Sequence, residues 1–306
     1  MEILKSLDQI SEDDFFLSIG NFDGVHLGHQ YILDYIKRQC GKNQTKLAII
    51  TFVPHPKEIL EGKQRFLLCD YESRRLYLEK IGVDYVVEIN FHRDFSTIGP
   101  ETFLLNDIFC TPRLKKIFLG HDFAFGKNKS GDQKIVTYEC KKRNIEVEIM
   151  KRFSVNKQKV SSSVIRQYLN VGNIKKANLL LGRTYEITGN VVKGAMRGRT
   201  LGFPTANLQV QDIIQIPCSG VYITKAYYKD QEYLSLTNVG YNPTFNSDKK
   251  DQTIEVYLEN FDKEIYGETL NLHFIGKIRD EIKFQSKEDL ITQIKDDVTY
   301  MHKYFS

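Results

Sequence analysis

The sequence predicts two folded regions. Residues 1–180 should form an α/β domain with a doubly wound, mostly parallel sheet, and residues 181–306 a small β-barrel followed by a C-terminal helix. Three observations carry this. Through residue 150, short apolar runs alternate with segments of helical spacing. From about Tyr185, short runs rich in Val, Ile, Tyr and Thr follow one another instead. Turn residues separate those runs, as at Asp230-Gln231, Asn242-Pro243 and Tyr266-Gly267.

In chain order, strands are expected over 15–19, 46–52, 84–89, 114–119 and 145–149, with helices over 27–40, 71–81, 101–109 and 132–143 between them. In such a sheet, ligands bind beyond the carboxyl ends of the strands. Residues 161–182 read as a helical link. Barrel strands are expected over 185–192, 221–228, 233–239, 253–258 and 269–275. Ser286 should cap a last helix over 287–304, with Asp289 in its first turn. No repeat or low-complexity stretch interrupts the pattern.

A chain of 306 residues is long enough for two cores, and 41% hydrophobic with 27% charged residues is an ordinary globular composition. The net charge of +4 suits anionic small molecules without indicating nucleic acid. No apolar run approaches the ~20 residues of a membrane span, and the acidic start is no secretion signal. Five scattered cysteines without a CxxC pair argue against a disulfide framework or a zinc site, and for a cytoplasmic setting.

The densest chemistry lies in residues 18–29, SIGNFDGVHLGH. An apolar run ends at Gly20, and a turn containing Phe22, Asp23 and Gly24 follows. His26 and His29 then stand three apart at the start of the first helix, hence on one face. Helix N-termini carry unpaired N–H groups and partial positive charge, so this is a site for a polyphosphate, with both imidazoles as donors. After the second strand, His55 sits between Pro54 and Pro56 on a stiff turn. After the fourth, GHDFAFGKNKSGD offers Asp122 to a ribose or amide, and Lys127 and Lys129 to phosphate. In VSSSVIR, Ser161 or Ser162 can cap a helix with Arg166 one turn along, a grip for a triphosphate.

The first motif resembles the G-x-F-D-x-x-H-x-G-H signature of the nucleotidyltransferase superfamily, which implies a Rossmann-like nucleotidyltransferase fold. Taken with TFVPHP, GHDFAFG and SSSVIR in that order, it resembles the N-terminal domain of the prokaryotic bifunctional riboflavin kinase/FMN adenylyltransferase (FAD synthetase) family. Ser163 stands where that family has Thr. The resemblance implies transfer of AMP from ATP to FMN, giving FAD and pyrophosphate, with Gly20, Phe22, Asp23, His55, Asp122, Ser161, Ser162 and Arg166 around the ATP.

In the second half, VVKGAMRGRTLGFPTANL interleaves Lys193, Arg197 and Arg199 with Gly194, Gly198 and Gly202. A basic glycine loop of this kind can wrap phosphates with backbone N–H groups. Thr205 and Asn207, two apart in an extended segment, share one face and offer hard oxygen ligands suited to Mg²⁺. The stretch resembles the riboflavin kinase signature G-R-x-L-G-F-P-T-A-N. TNVGYNPTFN also resembles a family segment, with Thr237 for an apolar residue, as does the run from Ile254, with Tyr257 for His and Asn260 for Asp. The resemblance implies phosphorylation of riboflavin by ATP, with Glu255 as the catalytic base and Asn238 and Arg279 at the flavin. A non-catalytic flavin- or RNA-binding module is the competing class. It would need neither a base nor a pair of metal ligands.

Overall fold

The computed structural model describes residues 1–194, 202–242 and 251–306. The chain divides into two compact units. The first is Met1–Gln64 with Cys69–Ser162, the second Arg65–Leu68 with Ser163–Ser306.

The first unit is built on six strands: β1 (Glu2–Leu4), β2 (Phe15–Ile19), β3 (Lys46–Val53), β4 (Tyr85–Asn90), β5 (Leu114–Gly120) and β8 (Glu146–Met150). They lie in the order β1-β4-β3-β2-β5-β8, and every neighbouring pair is parallel. Two short ribbons, β6 (Ala124–Phe125) with β7 (Gly131–Asp132) and β9 (Ser154–Val155) with β10 (Gln158–Lys159), follow β5 and β8. From β2 the sheet grows one way through β3 and β4, then the other way through β5 and β8. The reversal in winding falls beside β2, where such sheets open their ligand crevice.

All five residues of β2 are buried, as a strand covered on both faces must be. Phe15, Leu17 and Ile19 join one core with Ala48, Ile50 and Ile117, and Phe16 joins the other with Leu47, Ile49 and Phe118. Helix α1 (Leu27–Asn43) buries Leu33, Ile36 and Cys40 in that second core, at the three-and-four spacing of one helical face. α2 (Pro56–Glu61) begins on a proline at its first position. α3 (Tyr71–Ile81) runs from the Asp70 cap to Gly82, whose φ of 88° ends it. The helix expected over 101–109 is α4 (Pro100–Phe103) followed by one π-helical turn, Leu104–Ile108. α5 (Gln133–Lys141) is capped by Asp132, which accepts from Lys134 N and Ile135 N.

The second unit is a closed barrel of six antiparallel strands. β11 (Tyr185–Val192), β12 (Thr205–Gln209), β13 (Gly220–Tyr228), β14 (Gln231–Asn242), β15 (Asp251–Leu258) and β16 (Thr269–Arg279) close in the order β11-β12-β15-β14-β13-β16. Tyr185, Tyr222 and Phe274 fill its interior. Thr237 replaces an apolar family residue without leaving a buried hydroxyl unpaired. Its Oγ1 meets Thr224 Oγ1 at 2.8 Å, and Thr224 meets Ser235 Oγ at 2.7 Å. α6 (Ser162–Asn170) and α7 (Ile174–Leu181) lead into the barrel, where Asn178 bonds Phe274 O and Tyr185 N. The segment Arg65–Leu68 also packs in this unit. Phe66 N donates to Ile213 O at 2.8 Å, and Gln215 N to Leu67 O at 2.9 Å. α8 (Lys287–Phe305), capped by Ser286, brings Met301 against Ile223 and Leu236 on the barrel's outer face.

One charge cluster is buried within the first unit. Glu88 of β4 accepts from Arg75 Nε at 2.9 Å and Arg75 Nη2 at 2.5 Å, and from Arg74 Nη2 at 3.4 Å. The side chains of Arg74 and Glu88 are 3% and 1% exposed, so neither charge has water to fall back on. Burial alone would raise the Glu88 carboxyl. The hydrogen bond and charge of Arg75, then Arg74, outweigh it and hold the carboxyl below its ordinary value. A depressed carboxyl stabilises the fold above its unfolded pKa and loses that contribution as pH falls through the folded value. Glu88→Gln should therefore destabilise the first unit by roughly 3–5 kcal/mol at neutral pH, the usual cost of stranding a buried charge. The gap between variant and parent should shrink as pH falls through the depressed carboxyl's folded value. Urea unfolding at neutral and at acid pH measures this, and equal stability at neutral pH would contradict it.

Candidate active sites

The first site forms at the carboxyl end of β2. The connection to α1 turns through left-handed backbone at Phe22, Gly24 and Val25, with φ of 48°, 75° and 36°. Val25 is β-branched and fully buried, so this is a strained position held by its surroundings. The strain delivers His26 to the N-cap of α1. Its Nδ1 accepts from His29 N at 3.4 Å, and its carbonyl from His29 N and Gln30 N. An imidazole accepting at Nδ1 carries its neutral-state proton on Nε2, which makes that edge a donor. The rings of His26 and His29 stack at 3.7 Å with 13° between planes, and Phe22 meets His29 edge-on at 5.2 Å. Gly28 permits this stack, because a Cβ there would lie 3.2 Å from the His26 ring.

The turn's carbonyls are held by side chains from elsewhere. Ser162 Oγ donates to Asp23 O at 3.0 Å, and Gln30 Nε2 to Val25 O at 2.8 Å. Ser162, expected at the phosphate, thus spends its hydroxyl proton on the turn. Asp23 and His26 are buried, at 4% and 5% exposure. His55 caps α2 through its ring Nδ1, which accepts from Lys57 N at 3.1 Å, and its backbone N–H donates to the Tyr71 hydroxyl at 2.7 Å. Burial, and then the charge of Glu58, push the Tyr71 phenol up, so it stays a neutral donor to Glu58.

Gly20 extends β2 by donating to Ile50 O at 3.0 Å. Asp122 is exposed past the end of β5, between Lys159 Nζ at 3.6 Å and His121 Nε2 at 3.5 Å. Arg152 donates to that same His121 nitrogen. Ser161 lies just before α6. Arg166 belongs to the second unit, where its Nε donates to Phe66 O and its guanidinium lies 5.3 Å from the Phe66 ring centre.

The second site is a row across the barrel. Asn207 of β12 pairs with Glu255 of β15, which pairs with Asn238 of β14. The row continues through Val221 of β13 to Arg279 of β16. Ile254, Val256 and Leu258 are buried, so Glu255 and Tyr257 point outward, and paired residues share their face. Thr205, two before Asn207, stands opposite Tyr257 on the same outer face. Just after β11 the backbone passes close to one member of this row, Asn207. A Cβ on Gly194 would lie 2.0 Å from Asn207 Nδ2, so only glycine leaves the amide its place. Lys193 precedes it. Gly198, with Arg197 and Arg199, lies outside the described residues. Arg279 is fixed by Asp297 of α8, through Nε at 3.1 Å and Nη2 at 2.8 Å, while Gln293 holds the same carboxylate. Asp297 was not expected. An acidic residue inside an amphipathic helix gives no sign of facing a barrel arginine.

The FAD synthetase family model matches residues 8–164, and the riboflavin kinase model residues 181–305. The bifunctional riboflavin kinase/FMN adenylyltransferase of Listeria monocytogenes is 34% identical, covering 98% of this chain and 95% of its own length. That of Bacillus subtilis is 33% identical, over 95% and 92%. A crystal structure from Streptococcus pneumoniae, described as a macrolide-efflux protein, superposes with a TM-score of 0.86 at 31% identity over 98% of both chains.

Gly194→Ala should displace the Asn207 amide. Riboflavin phosphorylation should then fall at least about tenfold, since small misplacements in a transfer site are costly. A phosphorylation assay of the purified variant reads this, and a parental rate would show that Asn207 is not used.

Proposed function

The chain belongs to the family of bifunctional riboflavin kinase/FMN adenylyltransferases, and from that premise we propose how its residues divide the two reactions. The second unit phosphorylates riboflavin with ATP to FMN. The first transfers AMP from a second ATP to FMN, giving FAD and pyrophosphate. The observation that carries the residue assignment is the register row Asn207–Glu255–Asn238, which sets a carboxylate between two amides on the barrel's outer face.

Phosphorylating an alcohol requires loss of its proton, and Glu255 is the acceptor in this reading. Asn238 and Arg279 face the flavin, with Arg279 pre-oriented by Asp297. Lys193, Gly194 and Gly198 attend the nucleotide phosphates. Thr205 and Asn207 fit Mg²⁺ by donor chemistry, being neutral hard oxygens on one face. Among the described residues no group of three His, Cys, Asp or Glu could hold a metal, so phosphate oxygens and water would complete its shell. When bound, the ion neutralises charge on the phosphates.

Adenylyl transfer asks for something else. The FMN phosphate is already an anion, so positioning and charge stabilisation dominate over base catalysis. His26 and His29, with the N–H groups opening α1, meet the charge developing on the α-phosphate and pyrophosphate. Gly20, Phe22 and Asp23 shape the turn that presents them. His55 and Ser161 complete the triphosphate site, Ser162 steadies the turn through the Asp23 carbonyl, and Asp122 takes the ribose. The partners are small molecules, and the setting is cytoplasmic, in keeping with five free cysteines. No helix among the described residues is long and apolar enough to cross a membrane. Both family models and the curated relatives name flavin chemistry rather than efflux.

Glu255→Gln keeps shape and loses the proton acceptor. Riboflavin phosphorylation should fall about 10²–10⁴-fold. FAD formation from supplied FMN should not change, because that nucleophile is ionised already. Both half-reactions are measured on one preparation. An equal fall in both would make Glu255 a folding residue, and no fall in either would leave it a solvent-facing strand glutamate.

A further inference from the structure

We propose that Thr51 and Arg74 are positioning residues for adenylyl transfer, acting through the carbonyl of Asn21. The inference rests on reading His26 and His29 as the transfer site.

The turn that carries the histidines is held from outside as well as from within. A backbone bond runs from Val25 N to Phe22 O, across the left-handed residues. Stability comes from side chains that reach its alternate carbonyls. Asp23 O and Val25 O are taken by Ser162 and Gln30. Asn21 O, at the start of the turn, receives two donors: Thr51 Oγ1 at 3.2 Å and Arg74 Nη1 at 3.1 Å. Both come from buried side chains, with Thr51 0% and Arg74 3% exposed. A buried donor pair on one carbonyl leaves the turn little room to rotate.

The two donors also tie the turn to the other histidine segment. Thr51 lies in β3, four residues before His55. Arg74 lies 4.9 Å from the Tyr71 ring centre, and the Tyr71 hydroxyl receives the His55 N–H. Glu88 fixes the guanidinium from behind. One arginine thus sets the place of both segments that deliver imidazoles, without itself being a phosphate ligand in this arrangement. Neither residue touches the reacting atoms in the proposed site, so the effect of removing them is on alignment. Alignment should appear in kcat more than in KM.

The test compares Thr51→Val, Thr51→Ser and Arg74→Lys in the full chain. Thr51→Val keeps the shape and removes the hydroxyl, Thr51→Ser restores it, and Arg74→Lys keeps the charge against Glu88 while losing the fork. FMN adenylylation by Thr51→Val should lose roughly 10–100-fold in kcat. KM for ATP and for FMN should stay within about twofold, and riboflavin phosphorylation by the same preparation should match the parent. Thr51→Ser should recover most of the rate, and Arg74→Lys should behave like Thr51→Val. A parental kcat in Thr51→Val, or a Thr51→Ser as slow as Thr51→Val, overturns the inference. So does a loss carried by KM alone. His29→Ala separates this from the site reading. If His29→Ala adenylylates normally, the reading fails and takes the inference with it. If His29→Ala is inactive while Thr51→Val is normal, the inference alone fails.

Discussion

A helix N-terminus can serve a polyphosphate only if the chain entering it is held still. In the proposed adenylyl-transfer site that constraint falls on the turn between β2 and α1. Within it, φ is positive at Phe22, Gly24 and Val25. The carbonyls of Asn21, Asp23 and Val25 each accept a side-chain donor from outside the turn. The rest of the first unit can be read as support for that arrangement. The parallel sheet buries β2 on both faces, and the buried Glu88 cluster keeps Arg74 in reach of Asn21. The stacked imidazoles are the product of this scaffolding rather than a property of the two histidines alone.

The barrel solves a different problem by register. Antiparallel pairing brings Asn207, Glu255, Asn238, Val221 and Arg279 into one row although they are spread over five strands. Strand alternation then sends Val256 and Ile254 inward and Glu255 outward. A one-residue slip would bury the carboxylate and expose the core, so folding energy and site geometry are the same constraint here. Gly194 adds the last condition by leaving room for the Asn207 amide.

Much of this was legible in the sequence because its signals are local. Periodicity marked the main strands, α1, α3 and α8, motif spacing singled out both histidines, Thr205 and Asn207 as candidates, and the family resemblance alone singled out Glu255. What escaped depends on tertiary partners. β1 has three residues, too few for a period. β12 was read as an extended segment, and only its pairing with β11 and β15 makes it a barrel strand. Ser162 looked like a phosphate ligand, yet its hydroxyl is spent on Asp23 O. Thr237 looked like a mere departure from pattern until Thr224 supplied its partner. Residues 65–68, which no local signal assigns to the barrel unit, pair there with 212–215.

The central claim is that one chain performs two different transfers from ATP, each at its own site. The most direct measurement follows label from ATP into flavin on the unmodified protein with riboflavin and Mg²⁺. ATP labelled at the γ-phosphorus should mark FMN first and then FAD, because the phosphoryl group is retained on adenylylation. ATP labelled at the α-phosphorus should mark FAD and never FMN. Appearance of α-label in FMN, or FAD that carries neither label, would contradict the account.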